Sequence, residues 1–192
     1  MEIVVVNRDV VSDALASYFA AAPNRRFDVL PLLSALCHDD DVVSRKTFPL
    51  HVTCSAAAVD AVGDVLMVRH RSLERWRLPG GHIEPQDPSM YDAALRGLEQ
   101  ATGICWHRTA SAEPHDVVPV DVRIQPVPAD EAGNEPAHVH ADFRYAFWAG
   151  EFQMFDSAKK GAAFAWRPPL DLPNPRFMFS AYGIWANGSI PY

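Results

Sequence analysis

Reactive side chains concentrate in two stretches. The first is Gly80–Ile104, GGHIEPQDPSMYDAALRGLEQATGI, where a double glycine is followed by His82, Glu84, Asp87 and then Arg96. Carboxylates beside the backbone carbonyls of a glycine turn can hold a hard cation. Such a cation offsets the charge that builds on phosphates during attack by water. The second stretch is EPAHVHADFR at 135–144. Alternate residues of a strand share a face, so His138, His140, Asp142 and Arg144 line one side. Val139, Ala141, Phe143 and Tyr145 line the other, which is expected to face the core. Two imidazoles, a carboxylate and a guanidinium in register can bind a metal or grip a phosphate and a sugar. The opposing reading is a solvated strand face with an Asp142–Arg144 contact.

Each candidate also has a plain structural reading. Asp87 directly precedes Pro88 and is placed to cap the helix that follows, a role compatible with binding an ion. Glu84 is equally a loop residue. Arg45 and Lys46 are phosphate contacts if they reach the site and ordinary surface cations if they do not.

The elements that position these residues can be read from periodicity. Residues 9–21 have apolar residues at helical spacing, with Ser12 or Asp13 as cap, and 27–37 gives a second helix or two pieces broken at Pro31. HVTCSAAAVD (51–60) and DVLMVRHR (64–71) flank Gly63 as a hairpin. RWRLPGG (75–81) is a strand running into the glycine turn. Residues 88–102 form the strongest helix, with Gly103 as its stop and Tyr91, Ala94, Leu95, Leu98 and Thr102 on its core face. Residues 116–127 and 138–150 make a hairpin with a long loop, and 162–172 a further strand. The expected class is α+β: a helical lead-in over 1–47, a main domain over 48–172, and an aromatic, Pro-rich tail over 173–192 packed on it.

With 192 residues, 48% of them apolar, the chain can bury a sizeable core. A formal net charge of −7 argues against non-specific nucleic-acid binding. The start, MEIVVVNRDVV, has no basic leader and no long apolar run, so a soluble cytoplasmic protein is expected, with no membrane partner. Cysteines at 37, 54 and 105 fit neither a zinc motif nor a disulfide framework, and read as reduced, mostly buried thiols.

The stretch from Gly80 resembles the signature of the Nudix family: Gly, five residues, an acid, about seven residues, then Arg-Glu-apolar-x-Glu-Glu-x-Gly-apolar. Gly81, Asp87, Arg96, Leu98, Gly103 and Ile104 fill their positions, with eight residues rather than seven before Arg96. The strand DVLMVRHRSLERWRLPGG upstream and AAFAWRPPLDL downstream match the usual flanks, so the resemblance covers about 48–172. It implies the Nudix fold, a mixed sheet packed between helices, and hydrolysis of a small diphosphate-containing or phosphorylated metabolite. It also implies a divalent metal, magnesium or manganese, and makes a homodimer a reasonable expectation. The motif arginine, Arg96, is expected to brace the loop. The His-x-His-x-Asp strand, SRKTFPLHVT (44–53) and the longer spacing are similar to a bacterial Nudix subgroup with a helical lead-in.

The three motif glutamates that would hold the metal fall on Gly97, Gln100 and Ala101. Glu99 does not replace them, since it points about 150° from the centre of that face at 100° per residue. Three readings therefore stay open. One is a hydrolase with metal at Glu84, Asp87 and Gln100, helped by the histidine strand. Another is a repurposed Nudix fold in which His82, His138 and His140 do acid–base work or hold a transition metal. The last is a ligand-binding domain without catalysis. In the hydrolase reading Glu84, Asp87, His82 and Arg96 carry the chemistry, and His138, His140, Asp142, Arg144 and Arg45 bind substrate.

Overall fold

Eleven consecutive residues, Leu50–Asp60, form strand β1, and every one is buried. A strand covered on both faces needs apolar or small residues throughout, and LHVTCSAAAVD supplies them. The computed structural model describes residues 5–38, 40–70, 75–103, 118–131, 133–150, 164–172 and 175. Its other strands are β2 (Val65–His70), β3 (Arg75–Arg77), β4 (Gly80–His82), β5 (Asp121–Val127), β6 (His138–Gly150) and β7 (Phe164–Arg167). They make one mixed sheet in the order β3-β2-β1-β6-β5, with β4 also on β1 and β7 on β2. β1 runs parallel to β6, with His51 opposite His140 and Thr53 opposite Asp142. The expected hairpins form: β1 meets β2 at Val59–Val65, and β5 pairs antiparallel with β6 along its length. At the first turn the Asp60 carboxylate accepts the N–H groups of Val62 and Asp64, both at 2.9 Å. Gly63 takes the left-handed φ of 92°.

Helix α1 (Arg8–Ala21) begins earlier than its periodicity suggested. Its cap is Asn7, whose side chain accepts from the N–H of Asp9 and Val10. Neither expected cap serves: Ser12 lies inside the helix and donates back to the Arg8 carbonyl oxygen at 3.0 Å, and Asp13 is exposed. A 3₁₀ segment over Pro23–Val29 precedes α2 (Leu30–Leu36), with Pro31 in the first turn of α2. Proline lacks an N–H and is tolerated there. Val11, Leu15, Tyr18, Val29 and Leu32 join Phe143, Tyr145 and Phe147 of β6 in one core.

Helix α3 (Met90–Thr102) ends as expected at Gly103, which has φ 72° and donates to the Glu99 carbonyl oxygen at 2.7 Å. Its cap is Ser89, whose hydroxyl accepts the Asp92 N–H at 3.0 Å, so Asp87 does not cap it. Ala93 and Gly97 are buried beside Ala94 and Leu98, while Tyr91 and Leu95 are half-buried. The core face is thus rotated from the expected one. β5 begins at Asp121 rather than 116. Cys54 is buried and Cys37 exposed; Cys105 and almost all of the tail lie outside the described residues. Among the described residues no helix is long and apolar enough to cross a membrane.

Candidate functional site

β6 has side chains of opposite character on its two faces, as the alternation requires, yet both faces are covered. Phe143 and Tyr145 enter the core, and His138, Asp142 and Arg144 on the other face are 5%, 4% and 8% exposed. This face is not solvated. The parallel register aligns His51, Thr53 and Ser55 of β1 with His140, Asp142 and Arg144. β5 adds Asp121, Arg123 and Gln125 opposite Arg144, Asp142 and His140. A polar stripe therefore crosses three strands inside the fold.

Asp142 is the hub of this stripe. One carboxylate oxygen accepts from Thr53 Oγ1 at 3.1 Å and Ser55 Oγ at 2.8 Å. The other accepts from Arg144 Nε at 3.0 Å and Gln125 Nε2 at 3.3 Å. Arg144 continues to Asp121 at 3.5 Å, and Asp121 accepts from the Tyr18 hydroxyl at 3.4 Å. Asp142 and Arg144 thus spend their bonding capacity on each other and on neighbouring strands.

Gly80 and Gly81 lie in strand β4, paired with β1, rather than in a turn, and the carboxylates that follow them have gone to Arg96. Its guanidinium donates to both oxygens of Asp87 at 2.7 and 2.8 Å, to Glu84 Oε1 at 3.0 Å, to the Gln100 amide oxygen at 3.2 Å and to the His82 carbonyl oxygen at 2.8 Å. Asp87 also accepts the Glu84 N–H at 2.8 Å. A buried carboxylate with a forked guanidinium is a strong charge-assisted pair. It pushes the Arg96 pKa further up, the Asp87 hydrogen bond being the main cause. Arg96 therefore braces the loop.

The helix face that should carry glutamates is closed at Gly97. A Cβ there would lie 2.7 Å from Gly80 Cα and 3.0 Å from Gly80 C. Gly80 is constrained in turn, since its own Cβ would meet the Cys54 carbonyl oxygen at 2.3 Å. Glycine at 97 follows from helix and strand meeting backbone to backbone. Gln100, Ala101 and Glu99 are exposed.

At the other end of the stripe the imidazoles converge. His138 and His140 come from β6, His82 from β4 directly after Gly81, and His51 from β1. His82 Nε2 lies 3.1 Å from His51 Nε2, and His138 Nε2 lies 3.0 Å from His140 Nε2. One nitrogen each from His51, His138 and His140 falls within 4.8 Å of the other two. The outer nitrogens are tied back, with His51 Nδ1 3.0 Å from the Thr47 carbonyl oxygen and His138 Nδ1 2.7 Å from that of Pro136. Phe48 stands edge-on to the His51 and His138 rings. Burial lowers the His82 pKa to about 4 and the His140 pKa to about 3, with neighbouring histidines adding to both shifts. The His51 pKa is lowered too, again chiefly by burial. These three rings are neutral at pH 7. At the exposed rim Arg45 pairs with Glu135 at 2.6 Å.

The structure thus brings His82, His138 and His140 together. It places Glu84, Asp87 and Gln100 on Arg96, Asp142 and Arg144 in the internal stripe, and Arg45 on Glu135. His51 went unrecognised in the sequence, although the polar alternation His51, Thr53, Ser55 was there to read. Only the parallel neighbour β6 gives that alternation a destination.

Comparison with known proteins agrees with the fold. The NUDIX domain family model matches residues 49–184. A probable DHNTP pyrophosphohydrolase of Lactococcus lactis subsp. cremoris is 25% identical over 140 residues, spanning 73% of this chain and 78% of that protein. Among solved structures, a binary complex of the C. elegans Ap4A hydrolase is similar at a TM-score of 0.52 and 11% identity, covering 71% of this chain and 98% of that one. The paired glycines of β4, the arginine-braced loop and the helix closed by Gly103 all fall within the matched region, and the chain belongs to the Nudix hydrolase family.

Proposed function

We propose that the protein is a Nudix-type hydrolase of a small diphosphate-containing metabolite, with the histidine pocket in place of the helix carboxylates as its reactive centre. The observation that carries this reading is the meeting of His51, His82, His138 and His140 one residue beyond the paired glycines. Nudix enzymes generally use a divalent metal. Magnesium does not fit the motif helix of this chain, because it needs oxygen ligands. Gly97 is packed against Gly80, Ala101 has no donor, and the Gln100 oxygen accepts from Arg96. Glu84 and Asp87 are engaged by the same guanidinium.

Hydrolysis of a phosphoanhydride needs a group to take the proton of the attacking water and cations to meet the charge on the departing phosphate. Neutral His82 is a proton acceptor. Its low pKa would make it a weak base alone, but a bound polyphosphate adds negative charge that raises it. Arg45, 60% exposed at the rim, is available to the phosphate if it leaves Glu135.

The test is hydrolysis of DHNTP, Ap4A, nucleoside triphosphates and nucleotide sugars, across several divalent ions, followed by chromatography of the nucleotide and phosphate products. The expected result is turnover that survives Glu84→Gln and is lost in His82→Ala and His140→Ala. Binding without turnover by the folded protein would make it a non-catalytic Nudix domain instead.

A further inference from the structure

We infer that His51, His138 and His140, with His82 against them, form a binding site for one transition-metal ion of the zinc, cobalt or nickel type, separate from the family's carboxylate surface. Imidazole nitrogen suits these borderline ions, whereas magnesium and calcium prefer oxygen.

The first argument is distance. A tetrahedral zinc ion with Zn–N bonds of 2.0–2.1 Å separates neighbouring nitrogens by about 3.3 Å. The pairs His51–His82 and His138–His140 stand at 3.1 and 3.0 Å between Nε2 atoms. His51 also lies beside His140, with ring centroids 4.7 Å apart, and His82 beside His140 at 5.3 Å. One nitrogen each from His51, His138 and His140 lies within 4.8 Å of the other two, so small rotations of the rings would bring three nitrogens onto one ion, with His82 against His51.

The second argument is tautomer. A ligating histidine characteristically donates its other N–H to a carbonyl or carboxylate, which fixes the ring and leaves a lone pair for the metal. His51 and His138 are both arranged this way, through Thr47 and Pro136 carbonyl oxygens. With Nδ1 so engaged, Nε2 of each ring is the atom left for a metal, and it faces the partner histidine.

The third argument is construction. His51 is 1% exposed and His138 is 5% exposed. The ligands come from the paired strands β1 and β6, with His51 opposite His140, so the site is held by the sheet. Phe48 shields one side.

The site stands on this geometry and not on the proposed hydrolysis. It is tested on protein made without a histidine tag, stripped with chelator and titrated with Co(II) in the absence of any phosphate compound. The expected result is one equivalent bound, with the visible absorption of a tetrahedral nitrogen site, displaced by one equivalent of Zn(II) and accompanied by a higher Tm. His51→Ala combined with His140→Ala loses the absorption and the Tm response, while the exposed Glu99→Gln keeps both. If the double variant does not fold, the wild-type titration still decides. Failure of folded wild-type protein to bind a stoichiometric equivalent of Co(II), Zn(II) or Ni(II), or binding that persists in a folded double variant, would overturn the assignment. Absence of turnover would leave it standing, and turnover by metal-free protein would leave the hydrolase reading standing.

Discussion

Gly97 of α3 lies on Gly80 of β4 so closely that a Cβ at 97 would stand 2.7 Å from Gly80 Cα. The obstacle is backbone, which cannot rotate away. Alanine in a helix normally gains up to about 1 kcal/mol over glycine, but overpacking of this kind costs about 1–3 kcal/mol. Gly97→Ala is therefore expected to lower stability in urea unfolding, and Gly97→Glu to lower it more without creating a magnesium site. A Gly97→Ala protein more stable than the parent would refute the packing account.

Arg96 serves five acceptors, among them the Asp87 carboxylate, which is 3% exposed. Removing one partner of a buried pair costs about 3–5 kcal/mol because the remaining charge is stranded. Arg96→Ala should fall near the low end, since the arginine side chain keeps 19% of its exposure. Arg96→Lys should recover only part of the loss, as an ammonium cannot fork across both Asp87 oxygens. Equal stability of the lysine and parent proteins in equilibrium denaturation would refute the brace.

Asp142 accepts four side-chain hydrogen bonds from β1, β5 and β6. Asp142→Ala leaves Arg144 paired with Asp121 but removes the acceptor of Thr53, Ser55 and Gln125, and should cost about 1–3 kcal/mol. Asp142→Asn should cost less, because an amide oxygen can still serve Thr53 and Ser55. A loss under about 0.5 kcal/mol for alanine, the range of ordinary surface changes, would remove the hub role.

Tyr18 docks α1 onto β5 through Asp121, and burial, aided by that carboxylate, raises its pKa to about 12. Below pH 10 the folded and unfolded states both keep the phenolic proton. Between pH 10 and 12 the unfolded state loses it and the folded state does not, so stability falls as pH rises through that window. Tyr18→Phe should flatten this part of the stability–pH curve measured by denaturant titration. An unchanged slope would show that Tyr18 titrates normally.

The loop and helix were legible because local chemistry fixes them: paired glycines, a strong amphipathic period and a left-handed stop at Gly103. The strand alternation at 138–145 was legible for the same reason. Burial of that face was not, since it depends on β1 lying parallel to β6, a pairing of distant segments. The same holds for His51. The cap at Ser89 was missed because Asp87 before Pro88 looked equally suited. Asp87 instead found Arg96, nine residues on, across the turn. Gly97 read only as the place of a missing motif glutamate until Gly80 appeared beneath it.

The parallel seam between β1 and β6 joins residues near 50 to residues near 140. A ribosome must therefore pass β6 before His51 meets His138 or His140. Protein made only short of that point has no imidazole site, so metal capture would report that β1 and β6 have paired.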